Sequence, residues 1–223
     1  MNEKKEIIRR IQRISGQWSP YQVFTDWVEC VALTIQNGCY AFCKGEDELY
    51  QKREQRYCSI IKKYSDEEQN LIVEMAGLLT MAMENEISDM LGEIYMESGC
   101  GNKNTGQFFT PFNVSKMCAD MTLLQSDFEK DGIISVNEPS CGAGGMIIAM
   151  ASVLKDRGIN YQKKMRVVAQ DLDWKAVYMT YVQLSMYGID AVVVQGDTLL
   201  DPYHIQYPPE RTFRTPKNMG VIL

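Results

Sequence analysis

The chain has 223 residues, 45% hydrophobic and 23% charged, a balance that excludes a disordered or collagen-like chain. Residues 1–96 hold 11 basic and 16 acidic side chains and residues 97–223 hold 12 and 13, so neither half offers the basic surface that grips a nucleic-acid backbone unaided. No apolar run approaches the roughly 18 residues of a membrane helix. The charged start MNEKKEIIRR does not suit a signal peptide. Seven cysteines without a CxxC pair, and His204 as the only imidazole, give no zinc-ligand spacing. The expectation is a cytoplasmic protein with reduced thiols, no metal and no membrane contact.

Residues 3–98 read as helices throughout, and residues 1–98 as an N-terminal helical domain. Pro20 opens an amphipathic helix in which Phe24, Trp27, Val28, Val31 and Ile35 recur at three- and four-residue spacing. A second helix runs over about 49–64. Ser65 stands three residues before Glu68, the capping-box pattern, and opens a third helix with Leu71, Met75, Leu78 and Leu79 on one face. Ile87, Leu91 and Ile94 continue that periodicity to about Met96. Residues 98–106, rich in Gly and Asn, form a break, and a second domain covers 99–223. There Asn113 is placed to cap a helix over 114–124. Strands over 133–137, 165–170 and 191–195 alternate with helices over about 145–157 and 173–187, the last ended by Gly188. That alternation predicts an α/β fold with a parallel sheet and right-handed crossovers. The Pro-rich residues 201–216 read as a loop, and 219–223 as the start of a fourth strand. An edge there would need cover from residues 200–217 or from another chain.

The strongest local signal is Asn137-Glu-Pro-Ser-Cys-Gly-Ala-Gly-Gly-Met146, between a strand and a helix. Its glycines allow close backbone approach, and the helix N-terminus offers N–H groups to a carboxylate or phosphate. The spacing Gly142-x-Gly144-Gly145 is not GxGxxG, since Ile147 stands where the last glycine would be. The second strand ends in Asp171, followed by Leu172 and Asp173. An acid at that place can accept both hydroxyls of a ribose, whereas Asp173 suits a helix cap. Gly196-Asp197-Thr198-Leu199 puts a further acid at the same sheet edge, where it can accept from the exocyclic amine of a purine. In Gly106-Gln-Phe-Phe-Thr-Pro111, two aromatics before a proline suit packing against an adenosine-like ligand, with one of Phe108 and Phe109 read as core.

GQFFTP, NEPSCGAGGM, AQDLDW and QGDTL, in this order, resemble the amino-group DNA adenine (N6) methyltransferases, and most of all the modification subunit of type I restriction–modification systems. The resemblance covers about residues 100–200, and residues 1–98 are similar to that family's N-terminal helical domain. It implies an α/β architecture: the helical domain, then a partial Rossmann-like, S-adenosylmethionine-dependent methyltransferase sheet of parallel strands with flanking helices. It implies S-adenosylmethionine as the cofactor. Gln107, Phe108, Phe109, Thr110, Pro111 and Phe112 would lie around its methionine and adenosine portions, as would Ala143, Gly144 and Gly145. Asp171 would take the ribose and Asp197 would lie near the adenine amine, with Leu172 and Thr198 also in the implied cofactor-binding set. Glu138, Pro139, Cys141 and Gly142 complete the implied cofactor-binding set.

In that family an Asn/Asp-Pro-Pro-aromatic motif after the fourth strand accepts from the amine of the flipped-out adenine, whose nitrogen lone pair is otherwise delocalised into the ring. The only Pro-Pro in this chain is Tyr207-Pro208-Pro209-Glu210, which lacks the flanking residues and precedes the candidate fourth strand. The expectation is therefore a cofactor-binding protein without catalytic residues of its own, truncated before that motif and unable to methylate DNA alone. Its partners would be DNA through other restriction–modification subunits, or a second chain or homo-oligomer covering the sheet edge. One alternative is an active adenine methyltransferase completed by a partner chain. Another is a non-enzymatic interaction protein of restriction–modification or mobile-element systems.

Overall fold

A computed structural model describes residues 3–43, 45–100, 109–123 and 132–221. The chain divides into two compact units, Met1–Glu86 with Met90–Phe108, and Ile87–Asp89 with Phe109–Leu223. The first unit holds α1 (Glu3–Ile14), α2 (Pro20–Cys43), α3 (Glu48–Ile61), α4 (Asp66–Asn85) and α5 (Met90–Glu97). The capping box forms as expected: Glu68 N donates to Ser65 Oγ, and Ser65 N donates to Glu68 Oε2 at 2.8 Å. Ile7, Ile11, Phe24, Trp27, Met75, Leu79, Leu91 and Ile94 are fully buried and make the core of this unit. Charge is also set into it. Asp26 of α2 accepts from Tyr64 Oη at 3.0 Å and Lys63 Nζ at 3.2 Å, and Glu29 accepts a two-pronged Arg56 guanidinium.

The third helix does not run on to Met96. α4 ends at Asn85, and α5 begins only at Met90. Ser88 N donates to Tyr187 Oη at 3.0 Å, and Tyr187 Oη donates to Ser88 O at 2.8 Å, so the backbone at this point bonds within the second unit instead of continuing the helix. The apolar periodicity survives the break because Leu91 and Ile94 are still buried.

In the second unit come α6 (Phe112–Thr122), β1 (Ile134–Glu138), α7 (Gly145–Asp156), α8 (Tyr161–Lys164), β2 (Met165–Asp171), α9 (Trp174–Met186), β3 (Asp190–Gln195) and β4 (Thr212–Arg214). The sheet order is β1-β2-β3-β4. β1, β2 and β3 are parallel, with Val136 opposite Val167 and Val168 opposite Val192. α6 begins at Phe112 with Pro111 at its N-cap and no side-chain cap, so the capping role expected of Asn113 is not taken.

The fourth strand of the sheet does not lie at 219–221, the described part of the stretch expected to start it. Met219 and Gly220 lie in a turn, and residues 222–223 are outside the described part. The strand lies instead at 212–214, inside the stretch expected to be loop, and it is antiparallel to β3, with Phe213 opposite Val193. Two contacts hold it. Phe213 is buried with its ring centroid 5.1 Å from that of Tyr181 and 5.5 Å from that of Tyr178. Thr215 Oγ1 accepts from Ala191 N at 3.0 Å and donates to Ile189 O at 2.7 Å. The 200–217 segment thus supplies cover, but to the edge of β3. At the other end of the sheet β1 is paired only with β2 among the described residues, and its residues are half-buried or exposed. Among the described residues no helix is long and apolar enough to cross a membrane.

Candidate functional site

Parallel strands joined by crossovers bring their C-terminal ends to one edge of the sheet, where ligands bind in open α/β folds. Here that edge carries the turns after β1, β2 and β3. In the first, Gly142 and Gly144 take φ of +55° and +92°, which a side chain would strain. Each glycine also makes room for a protein group. A Cβ at Gly142 would stand 3.2 Å from the Phe109 ring, at Gly144 3.2 Å from Thr180 Oγ1, and at Gly145 3.0 Å from Asp89 Oδ2.

Asp171 knits the turns together. Its Oδ2 accepts from Gly142 N at 2.9 Å, its Oδ1 from Asp173 N at 2.9 Å, and its carbonyl from Gly196 N at 2.9 Å. Each carboxylate oxygen keeps a second lone pair for a ligand. Asp173 caps α9 through Lys175 N, as its position suggests. Thr198 Oγ1 donates to Pro139 O at 2.6 Å and so ties the third turn to the first. Gln195 Nε2 donates to Leu172 O at 2.8 Å, leaving the Leu172 side chain exposed. Asp197 Oδ1 accepts from Leu199 N at 2.9 Å and Leu200 N at 3.2 Å.

The remaining predicted residues divide by burial. Glu138 is half-buried, and desolvation pushes its carboxyl above the usual range, against a weak contact from Ser140 N and with the Asp171 charge adding to the rise. Cys141 is buried, its N–H donates to Gln170 O at 3.0 Å, and burial pushes its thiol up to about 12. It is a neutral packing residue of the turn. Ala143 is buried, while Phe109 and Phe112 are half-buried and Thr110 and Pro111 exposed. Gln107 and Phe108 lie outside the described residues.

Sequence reasoning missed the support behind the turn. Thr180, Gln183 and Tyr187, at three- and four-residue spacing along α9 and its C-cap, share one face. Thr180 Oγ1 donates to Gly142 O at 2.9 Å, and Gln183 Nε2 donates to Ala143 O at 2.8 Å and to Asp89 Oδ1 at 2.8 Å. The available signal was three polar residues on one face of an otherwise apolar, buried helix. Gln170 was missed as well: its Nε2 donates to Asp201 O at 2.9 Å and its Oε1 accepts from Tyr203 N at 3.1 Å, anchoring the third loop.

A glycine turn with positive φ stands beside the carboxylates of Asp171 and Asp197 at the C-terminal edge of the parallel strands β1–β3 of an α/β fold. The N-6 DNA methylase family model matches residues 87–221, more than half of the chain, and the chain belongs to that family. The match begins at Ile87, where the second unit also begins.

Among solved structures, the chain is similar to the methyltransferase subunit of a type I restriction–modification system from Streptococcus thermophilus, at 20% identity and a TM-score of 0.44, over 85% of this chain and 42% of that one. It is also similar to a Listeria monocytogenes protein assigned to the class I S-adenosylmethionine-dependent methyltransferases, at 14% identity and a TM-score of 0.41, over 93% of this chain and 56% of that one. The chain thus spans about half the length of these structures. No curated protein matches it.

Proposed function

We propose that the second unit binds S-adenosylmethionine at the edge formed by the turns after β1, β2 and β3. The observation that carries this is the joining of those turns through Asp171 and Thr198 in a chain of the N-6 DNA methylase family. The acceptor set fits the cofactor. Asp171 has lone pairs left for two ribose hydroxyls, and Asp197 Oδ2 is available for the adenine amine. Phe109 lines the approach to Gly142. Gln107, Phe108, Thr110, Pro111 and Phe112 flank that approach in sequence, and Glu138, Pro139, Cys141, Ala143, Gly144 and Gly145 shape the turn itself. When bound, the cofactor supplies a methyl group activated on a sulfonium. This chain's residues hold and orient it.

Transfer to adenine needs acceptors for the amine, and these 223 residues contain no Asn/Asp-Pro-Pro-aromatic sequence. The proposed activity of the chain alone is therefore binding without DNA methylation, in the cytoplasm, with DNA met through other restriction–modification subunits. The edge of β1, which pairs only with β2 among the described residues, favours a second reading, in which another chain completes both sheet and catalysis. Calorimetry with S-adenosylmethionine tests the binding, and absence of heat and of a thermal shift would refute it. Asp171→Ala should weaken binding by about 1–3 kcal/mol, since ribose hydroxyls are left unpaired. Methyl transfer from labelled cofactor to DNA by the purified chain would refute the restriction to binding.

A further inference from the structure

Asp197, half-buried, opens the turn that follows β3. The turn closes on itself: Asp201 N donates to Asp197 O at 2.7 Å, and Asp197 Oδ1 accepts from Leu199 N and Leu200 N. Apolar burial does not anchor it, since Leu199 is 92% and Leu200 85% exposed. Its direction is set by hydrogen bonds at its two ends. At the start, Thr198 Oγ1 donates to Pro139 O at 2.6 Å. At the end stands Gln170.

Gln170 lies on β2 one residue before Asp171 and is 3% exposed. Its amide brackets Pro202: Nε2 donates to Asp201 O at 2.9 Å, and Oε1 accepts from Tyr203 N at 3.1 Å. Pro202 has no N–H to offer, so the amide takes the acceptor before it and the donor after it. Of the uncharged side chains, the amides present a donor and an acceptor side by side. The backbone carbonyl of the same residue accepts from Cys141 N at 3.0 Å. One buried residue thus ties the loop that carries Asp197 to the strand that carries Asp171 and to the turn after β1.

We propose that Gln170 is a positioning residue: by fixing the end of the Asp197–Asp201 turn it aims the Asp197 carboxylate, and through that carboxylate the site separates a 6-amino purine from a 6-oxo purine. The amine contact itself rests on the nucleoside reading of the preceding section, and its dependence on Gln170 goes beyond that reading. A 6-amino group donates to the carboxylate, whereas a 6-oxo group sets one acceptor against another. Gln170 acts through Asp197 and is not a catalytic residue.

The test is calorimetric titration of the full chain with adenosine, inosine and 2′-deoxyadenosine, together with amide hydrogen exchange of the ligand-free chain. The native protein should prefer adenosine to inosine by about tenfold, the effect of one hydrogen bond to a charged group. Gln170→Leu should bring those two to within about threefold of each other. It should leave the ratio of adenosine to 2′-deoxyadenosine, which Asp171 sets, unchanged. In the ligand-free variant the Leu199 and Leu200 amides should exchange about tenfold faster, with the Gly142 and Asp173 amides unaltered. Should Gln170→Leu fail to fold, Gln170→Glu takes its place, since it keeps the acceptor for Tyr203 N and loses the donor to Asp201 O. A purely structural role would move both ligand ratios together. That result, unaltered exchange at Leu199 and Leu200, or an undiminished preference for adenosine in the variant overturns the proposal. Equal binding of adenosine and inosine by the native protein overturns it too. No binding of the three nucleosides overturns this inference, and no binding of S-adenosylmethionine either overturns the reading beneath it.

Discussion

Replacing Gly196 by alanine would put a methyl group where the Tyr207 hydroxyl already stands: the new Cβ would lie 1.8 Å from Oη and 3.1 Å from both Cζ and Gln170 Nε2. Backbone strain plays no part, since the φ of Gly196 is not in the positive range. Tyr207 is 6% exposed, packs with Val192 and Val194, and donates to Gln195 O at 3.1 Å. Relief requires the ring to leave its place. Overpacking costs about 1–3 kcal/mol, and the lost hydrogen bond adds about 1 kcal/mol. The expected destabilisation of the second unit is therefore about 2–4 kcal/mol. Tyr207→Phe alone should cost about 1 kcal/mol, and added to Gly196→Ala it should recover much of the loss, because the hydroxyl is the main obstacle. Hydrogen exchange of β3 amides at increasing urea measures the opening of this unit by itself. A cost below about 0.5 kcal/mol for Gly196→Ala, or strict additivity with Tyr207→Phe, would refute the steric argument.

The other predictions concern charge, reactivity and capping. An acid whose folded pKa is raised stabilises the fold below its unfolded pKa and loses that contribution as pH rises through the folded value, so Glu138→Gln should be stabilising at neutral pH and should flatten that part of the profile. Melting temperatures of both proteins from about pH 4 to pH 8 check this, and a steeper profile in the variant would contradict it. Cys141, with its thiol at about 12, should resist iodoacetamide while the exposed Cys43 and Cys58 react. Mass mapping that finds Cys141 alkylated as fast as Cys43 would sink that assignment. Ser65→Ala removes half of the capping box and should cost the helical unit about 1 kcal/mol in chemical denaturation; no measurable change would mean that the box adds nothing.

The elements that could be read from the chain are those whose signal is local. Ser65 and Glu68 announce a helix start by themselves, and the β-branched run of β3 between Gly188 and Gly196 admits few other readings. β4 was hidden because three residues carry no periodicity. Thr212–Arg214 is a strand only through its pairing with β3 and the burial of Phe213 among Tyr178 and Tyr181. The break at Ile87–Asp89 was hidden for a similar reason, since it depends on Tyr187, a partner 99 residues away. At the site, Asp171 and Asp197 could be placed at one edge by counting strands. Thr180, Gln183 and Asp89 could not, because a helix face turned inward gives no hint of which loop it supports.

That face of α9 has a consequence for how the chain folds. The bonds that frame the glycine turn join residues far apart in sequence: Asp89 with Gln183 over 94 positions, Thr180 with Gly142 over 38, and Thr198 with Pro139 over 59. Closing loops of this length costs entropy that only the finished contacts repay, and topologies rich in such contacts fold slowly. A growing chain has the GAGG sequence complete by residue 145, yet the helix that frames it must be made first. The turn is framed only once α9 is in place, so a chain cut before Gln183 would keep the motif and lose the frame.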